Sequence, residues 1–485
     1  MKNSNLILLI SKLNAAEFKE LGEYIRSSYF NKNEGIIKLY DYIKIRYPDF
    51  HEEELEKENV YRNLFPDIEY DDSFMRKLMF NLSRLAEDFL AYKNFTADEF
   101  NYSRSLLDKL IKRGVEKIYS KKLKSADENL NKQKIKDLAY YKNKFQIDSF
   151  NEIIMTQDKV MVNSKDKPEK YLINCTNSMI NYFLVSILEE YRFLTTYKKI
   201  VRFDFDPEFY ECILNYLKGK ESFHNIPLIS IYFYSVLLIS EKAELYFTKL
   251  KDILLKELSS LNLSDRYSSF AILVNFANDE YQKGNKKYLK EAFELYKLII
   301  ENKLYNAMEG GVFDNPLFRN IVNVGLLMKE IEWTENFIKL YVNKLMPEAR
   351  ENALHLSNAR VNFVKGNYEK SLEELSRIVS IHHFQVKPSI KSLTLMIYIE
   401  KDWINEAFDL IDAYKHYISY EKLLTDRSKE KNMNFIKFCT EILKLKSKNS
   451  KEKVNDIKYD LLNKEFILEK EWLEEKIEEL EKNKH

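Results

Sequence analysis

Glycine and proline are nearly missing from this 485-residue chain, at 9 and 8 residues. Sheet proteins punctuate their turns with both, and phosphate-cradling loops need glycine for its freedom at positive φ. No GxGxxG, GxxxxGK[ST] or GxSxG pattern occurs, which removes the usual dinucleotide, nucleotide and serine-hydrolase loops. Long helices with short connections need little of either residue, so the composition predicts an all-α protein. Cysteine is scarce too: Cys175, Cys212 and Cys439 are far apart and odd in number. They make neither a disulfide framework nor a metal cluster and fit a reducing, cytoplasmic setting, and Cys175 and Cys212 are expected as inert packing thiols. Charge bias is also absent, with 77 basic against 76 acidic residues. No global field draws the chain to nucleic acid or a membrane surface.

Long apolar runs are missing as well. Leu6 to Ile10 is too short for a signal-peptide core and ends at Ser11-Lys12. Ser222 to Ser240 carries no formal charge, but its apolar part, Ile226 to Ile239, has the length of a buried core helix. His51 is followed by three glutamates and not by an HExxH pattern. His382 and His383 are adjacent, and helix neighbours point about 100° apart, so from a helix they could not share one ion. Carboxylates interleave with lysines at helical spacings, as on solvated faces. The expectation is no catalytic residue, no metal site, no cofactor and no enzyme activity.

What the chain does have is aromatic and periodic. It contains 33 Tyr and 31 Phe within 45% hydrophobic residues, ample for a core. Residues 1–95 read as a helical head: Phe18, Leu21, Tyr24 and Ile25 share a face, and Phe74, Leu78, Leu82, Leu85 and Phe89 form an i, i+4 stripe. Residues 96–262 continue as irregular helix pairs, with two aromatic helices near 171–199 and 227–240. Residues 263–420 carry a repeat. Residues 421–485 read as capping helices, where Leu462, Phe466, Leu473, Ile477 and Leu480 share a narrow arc.

Within the repeat region Trp333, Tyr368 and Trp403 stand 35 residues apart. Leu340, Leu375 and Leu410 follow each by seven residues, while Met328, Phe363 and Tyr398 precede each by five. Tyr288 begins a fourth unit with Leu295 at the same offset, 45 residues before Trp333, and an insertion containing Gly310-Gly311 accounts for the excess. A period near 34–35 with this grammar marks stacked helix pairs. The expected roles are simple. The aromatic closes the turn, the leucine packs back on the first helix, and the apolar residue at −5 faces it.

The segment Lys365-Gly366-Asn367-Tyr368-Glu369-Lys370-Ser371-Leu372 resembles the turn between the two helices of a tetratricopeptide repeat. Ser371 fills that family's small-residue position, while Asn336 replaces it in one neighbouring unit and Ala407 falls one residue late in another. The resemblance covers about 263–420 and implies an α-solenoid, a right-handed superhelix of antiparallel helix pairs. Its first helices would line an inner face, where Ile321, Gly325, Leu356, Arg360, Lys391 and Leu395 are expected. Family members that clamp a peptide carboxylate carry Lys, Arg and Asn there. Two basic residues among four apolar or glycine positions suit a partner helix or apolar peptide better, with internal packing of these positions an equal alternative. Arg360, Lys391, Leu356 and Leu395 are the expected partner contacts, in an adaptor or scaffold of open oligomeric state.

A second functional class stays open. Residues 104–144 hold thirteen Lys/Arg against five carboxylates, followed by Tyr140 and Tyr141 near the end. Basic helices with nearby aromatics can track a nucleic-acid backbone. Glu58 to Phe65, then Pro66-Asp67 and a helix with Arg76, Lys77 and Arg84, resembles the helical part of a winged-helix DNA-binding domain. No glycine-containing hairpin follows to form a wing.

Overall fold

The computed structural model describes residues 1, 3–51, 53–155, 167–198, 203–307, 311–379, 386–448 and 453–482. His382, His383 and Gly310 lie outside the described residues. Among those described there are 23 α-helices, a few short 3-10 turns and no strand. The chain divides into two compact units, one of residues 1–132 with 143–176, the other of residues 133–142 with 177–485.

The first unit is built on α5 (Asp72–Ala97), against which α1 (Asn5–Ile10), α2 (Ala15–Arg26), α3 (Glu34–Lys44) and α4 (Lys57–Leu64) all pack. The short apolar run at the N-terminus becomes α1, with Leu6, Ile7 and Ile10 buried in this core. The α5 stripe is rotated slightly from the expected one. Met75, Leu78, Met79, Leu82, Ala86 and Phe89 are buried, whereas Phe74 lies at the exposed edge. No linker separates residue 95 from 96. Asp98 ends α5 and at once caps α6 (Glu99–Lys112), its carboxylate accepting from the Phe100 and Asn101 amides at 3.0 Å. A tight turn at Gly114 then leads into α7 (Glu116–Asn131).

α8 (Leu138–Met155) and α9 (Pro168–Tyr197) each contribute to both units. The second unit continues with α10 (Glu208–Lys218), α11 (Pro227–Glu241) and α12 (Glu244–Lys256). The uncharged stretch of the sequence forms α11, buried from Leu228 to Ile239 on nearly every side. At 15 residues it spans about 22 Å, short of a bilayer's roughly 30 Å hydrocarbon layer. Among the described residues no helix is long and apolar enough to cross a membrane.

Helix pairs follow: α13 (Leu263–Gln282) with α14 (Lys287–Glu301), α15 (Asn315–Leu327) with α16 (Ile331–Tyr341), α17 (Pro347–Val364) with α18 (Tyr368–Ser376), and α19 (Val386–Glu400) with α20 (Ile404–Tyr420). α11 and α12 already pair in this way, and each second helix also packs on the next first helix. α15, α17, α19 and α21 (Asp426–Lys448) form a row of first helices in direct contact. Neither 262/263 nor 420/421 interrupts the packing. One core runs from Tyr141 to Val361, and another joins Leu395 through Ile477, bringing in α22 (Lys453–Leu462) and α23 (Lys470–Lys482).

Candidate partner-binding face

The connection inside each pair sets where every side chain points. At Lys329, Gly366 and Asp402 the backbone turns left-handed, with φ of 62°, 76° and 55°. The next residue donates its amide back across the turn: Glu330 to Gly325, Asn367 to Asn362 and Trp403 to Tyr398, at 2.8–3.0 Å. This is the Schellman closure, which satisfies carbonyls orphaned at a helix end. Gly114 and Gly284 make the same closure, through Val115 to Leu110 and Asn285 to Glu280.

Counting from the left-handed residue gives the structural register. Five residues on stand Thr334, Ser371 and Ala407, all fully buried. Nine on stand Ile338, Leu375 and Ile411, also buried. Small side chains at the first position let the two helices approach. Ser371 Oγ donates to the Ala359 carbonyl at 2.7 Å, and a Cβ on Gly325 would clash with Thr334. The small residue of the Trp333 unit is therefore Thr334, not Asn336.

The aromatics keep a spacing of 35, but these turns fall 37 and 36 residues apart, so the aromatic slides along the helix start. Tyr288 is buried edge-on against Phe247 and Phe276, and Trp333 meets Phe293 at 4.8 Å. Tyr368 leans on Phe363, whereas Trp403 lies over Tyr398 and is partly exposed. The leucines slide with them. Leu295 and Leu375 are buried and Leu410 half-buried, but Leu340 is 67% exposed, so it does not pack back on the first helix. Two residues of slippage rotate it by about 200° relative to Leu375.

The expected inner-face residues separate into two kinds. Leu356, Leu395 and Ile321 are buried in the packing between helices, and Gly325 lies under Trp333 and Thr334. They are not available to a partner in this structure. The basic positions behave differently. Arg360 Nη1 donates to Glu469 Oε1 at 3.0 Å, while its buried Nε has no hydrogen-bond partner among the described residues. Arg319 is half-buried, and burial, then the Arg360 charge, pulls its pKa below the usual guanidinium range. Lys391 is half-buried, its pKa lowered by burial and then by Lys387, so its nearest charge influence is not Arg360.

The C-terminal helices contact α13 as well as this row. Lys431 Nζ donates to Gln282 Oε1 at 2.5 Å, and Arg427 pairs with Asp279 at 2.8 Å while covering the Phe466 ring. Burial, aided by Arg427, pulls the Lys431 pKa down to about 8. From α23, Trp472 Nε1 and Lys476 Nζ donate to the two carboxylate oxygens of Glu400 at 2.6 and 2.8 Å. The Tyr281 hydroxyl pKa is raised by burial first and then by the Glu471 carboxylate.

A second polar centre had no local signal in the sequence. Tyr232 donates to Asp265 at 2.6 Å, and Arg192 lies over the Tyr232 ring, bonds Ser268 and approaches Asp265 at 3.7 Å. Burial raises the Asp265 and Glu189 carboxyl pKa values. Its hydrogen bonds from Tyr232 and Arg192 join residues 33 and 76 positions apart. The network ties α9, α11 and α13 together, and among the described residues no cluster of three His, Cys, Asp or Glu could hold a metal. Cys175 and Cys439 are buried with raised thiol pKa values, but Cys212 is exposed on α10 instead of packed. The basic stretch 104–144 is split between the units, with 133–142 in the second. Compared with known proteins, the chain matches no family model, no curated protein and no solved structure.

Proposed function

We propose that this chain is a cytoplasmic protein–protein interaction adaptor whose helix pairs stack as a tetratricopeptide-like solenoid. The row of first helices takes a peptide or helix of a partner protein; no catalysis and no cofactor are assigned. One observation carries the reading: the row already seats the C-terminal segment around α23, through Glu469 on Arg360 and through Trp472 and Lys476 on Glu400. A surface that holds one amphipathic helix by its polar edge suits helix-in-groove recognition. The test is affinity purification of the tagged chain from its native cell, with wild type, Arg360→Glu and Lys391→Glu compared. Recovery of a specific partner is expected to fall roughly tenfold in at least one variant. Unchanged recovery in both contradicts the proposal. Exposed Lys117, Lys121, Lys122 and Lys124 on α7 support a second reading, nucleic-acid binding by the first unit. It predicts retention on nucleic acid that falls steeply with salt, and no retention at low salt removes it.

A further inference from the structure

We infer that residues 463–471 are an internal occupant of the first-helix row, latched by the Glu469 carboxylate on Arg360. The partner class the row accepts is then an acidic segment that replaces this latch. The inference rests on the adaptor reading above and adds the chemistry of the partner and the way it is excluded.

Four observations converge on the latch. The Arg360 charge, after burial, disfavours that of Arg319, and Glu469 supplies a carboxylate to Arg360 at 3.0 Å from 109 residues away. The Arg360 guanidinium suits a carboxylate by its charge and fork geometry. Glu469 itself stands at φ 51°, a left-handed backbone that a glutamate adopts only when its surroundings demand it. Third, the loop is lightly attached. Of residues 463–469 Ile467 alone is buried, while Phe466 lies beneath Arg427 and its carbonyl accepts from Asn434 at 2.8 Å. The body of α23 is anchored separately by Leu473 and Ile477, both fully buried. The loop and its carboxylate can therefore leave while the helix core stays. Finally, the segment carries Glu465, Glu469 and Glu471 against Lys464 and Lys470, and it meets two basic residues of the row, Arg360 through Glu469 and Arg427 through Phe466. The site thus selects an acidic side chain beside one buried aliphatic residue.

The test uses the full chain and a fluorescein-labelled synthetic peptide of residues 463–471, followed by anisotropy. Wild type is expected to bind the peptide weakly, because its own segment competes at high effective concentration. Glu469→Gln, which keeps the shape and removes the charge, should bind it at least roughly tenfold more tightly. Adding Arg360→Gln to that variant should return binding to the wild-type level, and a peptide with Gln at 469 should bind poorly. Arg360→Lys, which keeps the charge without the fork, should give an intermediate affinity and guards against a misfolded Arg360→Gln. Equal peptide affinity in wild type and Glu469→Gln overturns the latch, as does binding indifferent to both Arg360 variants. If partner recovery depends on Arg360 but not on Glu469, the latch fails and the adaptor reading stands. Recovery indifferent to Arg360 and Lys391 removes the adaptor reading itself.

Discussion

Lys329 and Asp402 stand where the homologous turn of the next or preceding pair uses Gly366, and all three have the same left-handed backbone. A side chain there crowds the following carbonyl at a cost of about 1–2 kcal/mol. Lys329→Gly and Asp402→Gly should therefore stabilise the chain by roughly 0.5–1 kcal/mol each, and Gly366→Ala should destabilise it by about 1 kcal/mol. Urea titration reads both signs. At Gly325 the constraint is steric, since its helix is regular there and a Cβ meets Thr334 Oγ1 and the Trp333 ring. Gly325→Ala should cost roughly 1–3 kcal/mol, with part recovered by Thr334→Ala. Lys431 makes a pH prediction. Its pKa falls from 10.5 to about 8 on folding, through burial and Arg427, with Asp279 opposing. Between those values the unfolded chain binds the extra proton, so this residue's contribution to stability rises with pH. The stability gap between Lys431→Met and wild type should shrink from pH 7.5 to pH 10, and a constant gap contradicts it.

At the scale of elements, caps and turns decide more than propensity does. Asp98 serves two helices with no residue between them, so Asp98→Ala should cost about 1–2 kcal/mol and fray the start of α6 first, visible as faster amide exchange at Phe100 and Asn101. The all-helical character was legible from scarce glycine and proline, and α11 from an uncharged run too short for a bilayer. The helix starts at Asp71 and Asn14 also follow the usual capping chemistry. Register inside the pairs was not legible from the aromatics. Trp333, Tyr368 and Trp403 keep an even spacing while the turn residue shifts beneath them, and only the left-handed residue reveals it. That residue is Lys329 in one turn and Asp402 in another, so no glycine marks it. Leu340 therefore faces outward despite its place in the pattern.

For the whole molecule, contacts group the residues into two compact units. Near the expected boundary at 95, one aspartate caps both neighbouring helices. Across the expected boundary at 420, Leu461, Leu473 and Ile477 share a core with Leu395 and Tyr414. Of the expected binding residues, Leu356 and Leu395 are core, while Arg360 and Lys391 remain as polar groups on or near the row. Glu469 was out of reach for sequence reasoning, because its partner lies 109 residues away and no local pattern joins them. Hydrogen–deuterium exchange of the full chain, with and without a purified partner, tests the central claim most directly. The account predicts added protection in 315–327, 347–364 and 386–400, with faster exchange in 463–471 as that segment is displaced. Protection confined to residues 1–132, with those three helices unchanged, would contradict it.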